Sequence, residues 1–151
     1  MNTLSSHDVD LLHTFLKADH QLTDKTFEEI SKYFTKYVYN KGESILKIGE
    51  VETKANIVVK GVVHQYIFDE EDSKTINITP EGLSFNNLKS YLDGSPSLEV
   101  HEAIMDTEII SIEKNDIEIL AQNNHEFSYV MFKVYEQILL DRENRMIVLQ
   151  Y

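Results

Sequence analysis

Apolar residues along this chain change their period twice. Near the N-terminus Leu11, Leu12, Phe15 and Leu16 recur at helical spacing behind the capping candidates Ser5 and Ser6, and Phe27, Ile30, Tyr33 and Phe34 repeat that spacing after Leu22-Thr23-Asp24. Both stretches predict helices, placed within residues 1–34. From Thr35 short runs rich in β-branched and aromatic residues take over: Lys36–Tyr39, Ser44–Lys47, Asn56–Val59, Val62–Phe68 and Thr75–Thr79. Asn40-Lys41-Gly42, Gly49-Glu50, Gly61 and the acidic tetrad Asp69-Glu70-Glu71-Asp72 separate them. Glycine reaches positive φ at little cost, so the runs read as short antiparallel strands joined by sharp turns, with the tetrad at a hairpin tip. After Pro80-Glu81-Gly82, the stretch Leu83–Leu92 predicts a short helix and Asp93-Gly94-Ser95-Pro96 a turn. Leu98–Ala103 and Glu108–Ile112 predict further strands, and Lys114–Ala121 a short helix. From Glu126 to Tyr151 neither glycine nor proline interrupts the pattern, which predicts one helix of roughly 39 Å at 1.5 Å per residue.

The succession predicts an α+β fold in a single domain, residues 1–151: N-terminal helices (1–34), an antiparallel β-roll of the double-stranded β-helix or jelly-roll kind (35–113), and C-terminal helices (114–151) that include a long terminal one. A chain of 151 residues that is 42% hydrophobic suits one core and is short for two.

Composition narrows the chemistry. Fourteen basic against twenty-six acidic residues give a formal charge of −12, which repels a phosphate backbone, and no Lys/Arg cluster overrides it. Zero cysteines exclude disulfides, thiolate-bound zinc, cysteine-ligated iron–sulfur clusters and thiol nucleophiles. His7, His13, His20, His64, His101 and His125 form no His-x-His or His-x-x-x-His pair, so a metal is not expected. Gly-x-Ser-x-Gly does not occur, and neither catalytic residues nor a cofactor are expected. The N-terminus lacks a signal-peptide layout and no apolar run approaches the roughly 18–20 residues of a membrane span, which predicts a cytoplasmic protein.

Lys41-Gly42-Glu43, Gly49-Glu50 and Val59-Lys60-Gly61-Val62, in the order helix, roll, short helix, turn, strands and long helix, resemble the cyclic-nucleotide-binding domain of the Crp/Fnr family of bacterial regulators. The resemblance covers nearly the whole chain after about residue 24. It implies a phosphate cassette in which Phe-Gly-Glu opens a short helix and Arg-Ser or Arg-Thr follows ten residues after the Glu. Backbone amides and the Arg hold a cyclic phosphate there, and the Glu a ribose hydroxyl. The matching positions here are Phe85-Asn86-Asn87, leading into Leu88, and Ser97-Leu98. Asn87 replaces the carboxylate, Ser97 the guanidinium and Leu98 the adjoining hydroxyl, so cyclic AMP is not the expected ligand. Arg142-Glu143 stands where the family places purine-contacting hydroxyls. The family's helix-turn-helix domain begins where this chain ends, so DNA is expected to be reached only through a domain outside these residues.

Met131, Tyr135, Ile138, Arg142, Arg145 and Leu149 follow four-three-four-three-four spacing, the seam of a parallel two-stranded coiled coil, and predict a homodimer. Phe127, Val130, Val134 and Leu139 offer a second stripe for packing on the roll. Arg142 has no acid three or four residues away, so its partner comes from the roll, from across a dimer or from a bound anion. Together these readings predict the effector-sensing domain of a Crp/Fnr-like transcription regulator with an unknown small-molecule effector. The alternatives are a free-standing ligand-free interaction module and a cupin-like small-molecule enzyme.

Overall fold

A computed structural model of the protein describes residues 3–17 and 22–150, with the side chains of Lys17, Val148, Leu149 and Gln150 outside the description. His20 and the Leu149 side chain, both singled out in the sequence, therefore lie outside the described residues.

Helices α1 (Ser6–Lys17) and α2 (Asp24–Ser31) open the chain. Ser5 and Asp8 start α1 reciprocally: the Asp8 N–H donates to Ser5 Oγ (3.2 Å) and the Ser5 N–H to Asp8 Oδ2 (2.8 Å). Thr23 caps α2 by accepting from the Thr26 N–H. The strands are β1 (Thr35–Tyr39), β2 (Ser44–Leu46), β3 (Lys54–Lys60), β4 (Val62–Asp69), β5 (Asp72–Pro80) and β6 (Ser84–Phe85), then, after helix α3 (Leu88–Asp93), β7 (Glu99–Ala103) and β8 (Thr107–Glu113). Helices α4 (Lys114–Asn123) and α5 (His125–Gln150) close the chain.

All strand pairs are antiparallel and form two sheets of four, in the orders β1-β8-β3-β6 and β2-β7-β4-β5. The chain crosses between the sheets at Gly61, where φ is +92°. The acidic tetrad sits at the β4–β5 hairpin tip, with Glu70 at φ 61°. The helix expected over Leu83–Leu92 is shorter: Ser84 and Phe85 pair with Ile57 and Asn56 of β3, and the Asn87 side chain accepts from the Ser90 N–H to start α3 only at Leu88. A two-residue strand followed by a cap carries no periodicity, which is why a longer helix was expected.

The central strands β3 and β8 of the first sheet are buried on both faces, and the pleat sorts their side chains. Val58 and Ile109 point into the roll with Val63 and Phe85. Their neighbours Ile57, Val59, Ile110 and Ile112 point the other way, into a core shared with Leu12, Leu16, Phe27, Ile30, Leu120, Phe127 and Val130 of the helices.

The start of α5 is fixed. Asn124 Oδ1 accepts from the Phe127 N–H (2.9 Å), and the Glu126 carboxylate accepts from the Thr23 N–H (2.9 Å) and from the Thr23 and Thr26 hydroxyls, so α5 caps α2. Phe127 and Val130 are buried, whereas 139–147 are exposed. Leu139, expected to pack on the roll, is 67% exposed, because it projects from the side of α5 away from Phe127 and Val130.

Candidate functional site

The segment that matches the phosphate cassette is closed upon itself. Asn87 Nδ2 donates to Ser97 Oγ (2.9 Å), so the positions matching carboxylate and guanidinium bond one another directly, and both residues are buried. Ser97 Oγ also accepts from the Glu99 N–H (3.0 Å) and donates to the Glu99 carbonyl (2.8 Å). One donor and two acceptors exhaust a hydroxyl. Asn87 Oδ1 is committed to the Ser90 N–H and Asn86 Nδ2 to the Lys54 carbonyl (3.2 Å). Leu98 points away, 73% exposed. Ser97 therefore has no donor left for an anion, no charged group stands at either matching position, and Asn86 and Asn87 each spend one amide N–H inside the protein.

Beside this segment lies a cavity of about 410 Å3 between the roll and α5. Ile57, Phe85, Ile112 and Phe127 line its deep end, with Asn86 and Leu88 nearby. Asn77, Glu99, Asp141, Arg142 and Arg145 supply polar groups. Of the residues expected at a ligand site, Phe85, Asn86, Leu88 and Arg142 meet here, while Asn87, Ser97 and Leu98 do not.

Met131, Tyr135, Ile138, Arg142 and Arg145 also line the cavity, so in the single chain the stripe expected to form a dimer seam faces the roll. The reason is rotational. At 100° per residue this stripe lies on the same side of α5 as Phe127 and Val130, which the core claims. The side turned to solvent carries Tyr129, Phe132, Leu139, Leu140, Met146 and Ile147, all exposed.

Three polar groups in and around the roll gave no signal in the sequence. Asn77 on β5 accepts from Arg145 Nη2 (2.9 Å), tying the long helix to the second sheet. Glu52 lies inside the roll, 7% exposed; its Oε1 accepts from Asn56 Nδ2 (3.0 Å), and Asn56 Oδ1 accepts from the Ser111 hydroxyl (2.6 Å). Burial pushes the Glu52 carboxyl up to about 7, against the lowering effects of the Asn56 amide and Lys54. Glu99, at the cavity wall, accepts at Oε1 from Nε2 of the fully buried His101 (2.8 Å), whose Nδ1 has no partner among the described residues. His64 and His101 do not meet. His101 is registered opposite Gln65, so His64 projects to the other face of the sheet, where its ring contacts Thr75 Oγ1 (2.7 Å). Burial pushes the Tyr91 hydroxyl up, and the neighbouring Tyr135 phenol adds to this; both residues line the cavity.

Among the described residues no group of three or more His, Cys, Asp or Glu side chains is placed to hold a metal ion, and no helix is long and apolar enough to cross a membrane.

No family model and no curated protein matches the sequence. The fold does have solved neighbours. A cyclic nucleotide-binding domain from Methylobacillus flagellatus superposes with a TM-score of 0.80 at 14% identity over 91% of this chain and 79% of that one. The catabolite activator protein of Thermus thermophilus gives 0.71 at 19% identity over 87% of this chain, which spans only 62% of that protein. The sensor domain of the transcriptional regulator DNR from Pseudomonas aeruginosa gives 0.70 at 17% identity, over 89% of this chain and 90% of that one. The chain has the β-roll fold of cyclic nucleotide-binding domains.

Proposed function

We propose that this chain, built on the cyclic nucleotide-binding fold, is the effector-sensing domain of a Crp/Fnr-like transcription regulator. In this reading it acts in the cytoplasm as a homodimer, catalyses nothing, and reaches DNA only through a separate helix-turn-helix domain. Its effector is a small molecule other than a cyclic nucleotide. The observation that supports the reading is the cavity of about 410 Å3 with the roll as one wall and α5 as the other. An occupant touches the helix directly, and a ligand that binds one pose of α5 more tightly than another shifts α5 toward that pose. Equilibrium dialysis of the chain against a metabolite library, with retained compounds identified by mass spectrometry, tests it. Retention of a compound that moves the Met131 methyl resonance supports sensing; a library from which nothing is retained favours the ligand-free interaction module.

Cyclic AMP and cyclic GMP are expected to produce no binding heat at millimolar concentration in titration calorimetry. The Asn87–Ser97 hydrogen bond occupies both groups that would replace the charged contacts. Each lost contact of about 1.5–3 kcal/mol weakens binding by roughly ten- to hundredfold. A micromolar dissociation constant would contradict this.

For the homodimer, the solvent-facing side of α5 is the contact we assign. Phe132, Leu139 and Met146 are exposed and recur every seven residues, the period that keeps one side of a helix against its copy. Leu139→Glu is expected to weaken the dimer by about ten- to hundredfold in sedimentation equilibrium, from lost apolar contact and two facing charges. A monomeric unmodified chain, or a dimer indifferent to Leu139→Glu, refutes the assignment.

A further inference from the structure

The charges around the cavity are unequally matched. Glu99 accepts from His101, Asp141 Oδ1 accepts from Gln137 Nε2 (2.9 Å), and Arg145 donates to Asn77. Arg142 alone of the four makes no hydrogen bond or ion pair with any described residue, although it lines the cavity and the chain carries a net charge of −12. The acids on either side of it along α5, Asp141 and Glu143, are adjacent in sequence and each projects about 100° away around the helix. Ile57, Phe85, Ile112 and Phe127 give the buried part of the wall an apolar surface, the buried Asn56 and Gln65 beside them are hydrogen-bonded to Glu52, Ser111 and Thr79, and the cavity's volume of about 410 Å3 lies in the ~300–1,000 Å3 range typical of small-molecule sites.

Resting on the sensing role proposed above, we infer that this cavity takes an apolar organic monoanion, a carboxylate whose hydrocarbon or aromatic body lies between α5 and the roll and whose head group is held by Arg142. A guanidinium presents a planar fork that fits a carboxylate with two parallel hydrogen bonds, and one unpartnered guanidinium matches one negative charge. A nucleotide suits the cavity poorly, since its phosphate finds Asn87 and Ser97 already bonded to each other and no guanidinium in the loop around α3. The anion site of this roll has in effect moved from the loop around α3 to the long helix. An anion bound there reads the pose of α5 through the helix's own side chain.

Methyl-labelled methionine makes the test local, because Met131 lines the cavity and Met105 sits exposed on the β7–β8 turn. The full chain is titrated with 3-phenylpropanoate and with its uncharged amide, 3-phenylpropanamide, to 10 mM, following both methyl resonances. The expected result is a saturable shift of Met131 with the carboxylate, none at Met105, and at least tenfold weaker binding of the amide. Arg142→Gln, on an exposed position, should bring the carboxylate down to the amide's affinity, whereas Arg145→Gln, whose parent is already held by Asn77, should weaken it less. Equal binding of acid and amide, or indifference to Arg142→Gln, overturns the anion site while leaving cavity binding and the sensing role in place. No movement of Met131 with either compound overturns the ligand class, and the metabolite-library dialysis then decides separately whether sensing falls with it.

Discussion

Gly61→Ala is expected to lower unfolding stability by about 2–5 kcal/mol, a large share of the ~5–15 kcal/mol typical of a domain. Gly61 has φ +92°, and a Cβ placed on it would lie 2.5 Å from Thr107 Oγ1, 2.7 Å from the Asp106 carbonyl oxygen and 2.8 Å from Thr107 Cα. The left-handed backbone costs about 1–2 kcal/mol, and the overlap a further ~1–3 because two of its three atoms are backbone. Moving Thr107 is no escape: its hydroxyl accepts from the Val62 N–H (3.3 Å) and donates toward the Met105 carbonyl (2.8 Å), so it pins the sheet crossing. Gly42, Gly49 and Gly94 also have positive φ but nothing within 4 Å of an added Cβ, so the same change there should cost only the backbone share, about 1 kcal/mol. Urea midpoints of the four variants check this, and a Gly61→Ala loss no larger than that of Gly49→Ala would contradict it.

Glu52→Gln is expected to make the protein more stable than the parent at pH 8 and to lose that advantage by pH 4.5. Burial raises the folded-state carboxyl to about 7 from its ordinary 4.5. Between those values the folded state binds more protons than the unfolded one, so this residue's effect on stability worsens as pH rises through the window. The full shift corresponds to something on the order of 3 kcal/mol. Glutamine keeps the oxygen that accepts from Asn56 Nδ2 and removes the charge. Other carboxylates titrate too, so the measurement is the difference between variant and parent in urea unfolding across pH 4.5–8. A difference that stays flat with pH places the Glu52 charge in water, contrary to the structure.

The glycine-punctuated runs announced the roll because each turn demanded a residue that tolerates positive φ and each strand a β-branched surface. The hydrophobic pattern could not announce which side of α5 meets the roll. Met131, Tyr135, Ile138, Arg142 and Arg145 keep a seven-residue period, but so do Phe132, Leu139 and Met146, and only the burial of Phe127 and Val130 fixes the rotation. Asn87 and Ser97 were legible as lost charges, yet their mutual hydrogen bond joins residues ten apart through a loop whose shape no local pattern records. Glu52 and Asn77 were invisible for a related reason: a polar residue on a loop or strand looks alike whether it faces open water, the interior of the roll or another element.

The capping of α2 by Glu126 gives the long helix a fixed end, and a rigid rod clamped at one end is a lever. Glu126, Phe127 and Val130 hold the first turns of α5, while the Arg145–Asn77 hydrogen bond is a lighter, exposed attachment farther out. From Val130 to Gln150 the rod runs roughly 30 Å at 1.5 Å per residue. A tilt of about 10° about the clamp, the scale of one rearranged side chain in the cavity, therefore carries the far end through roughly 5 Å, more than the spacing of two neighbouring strands.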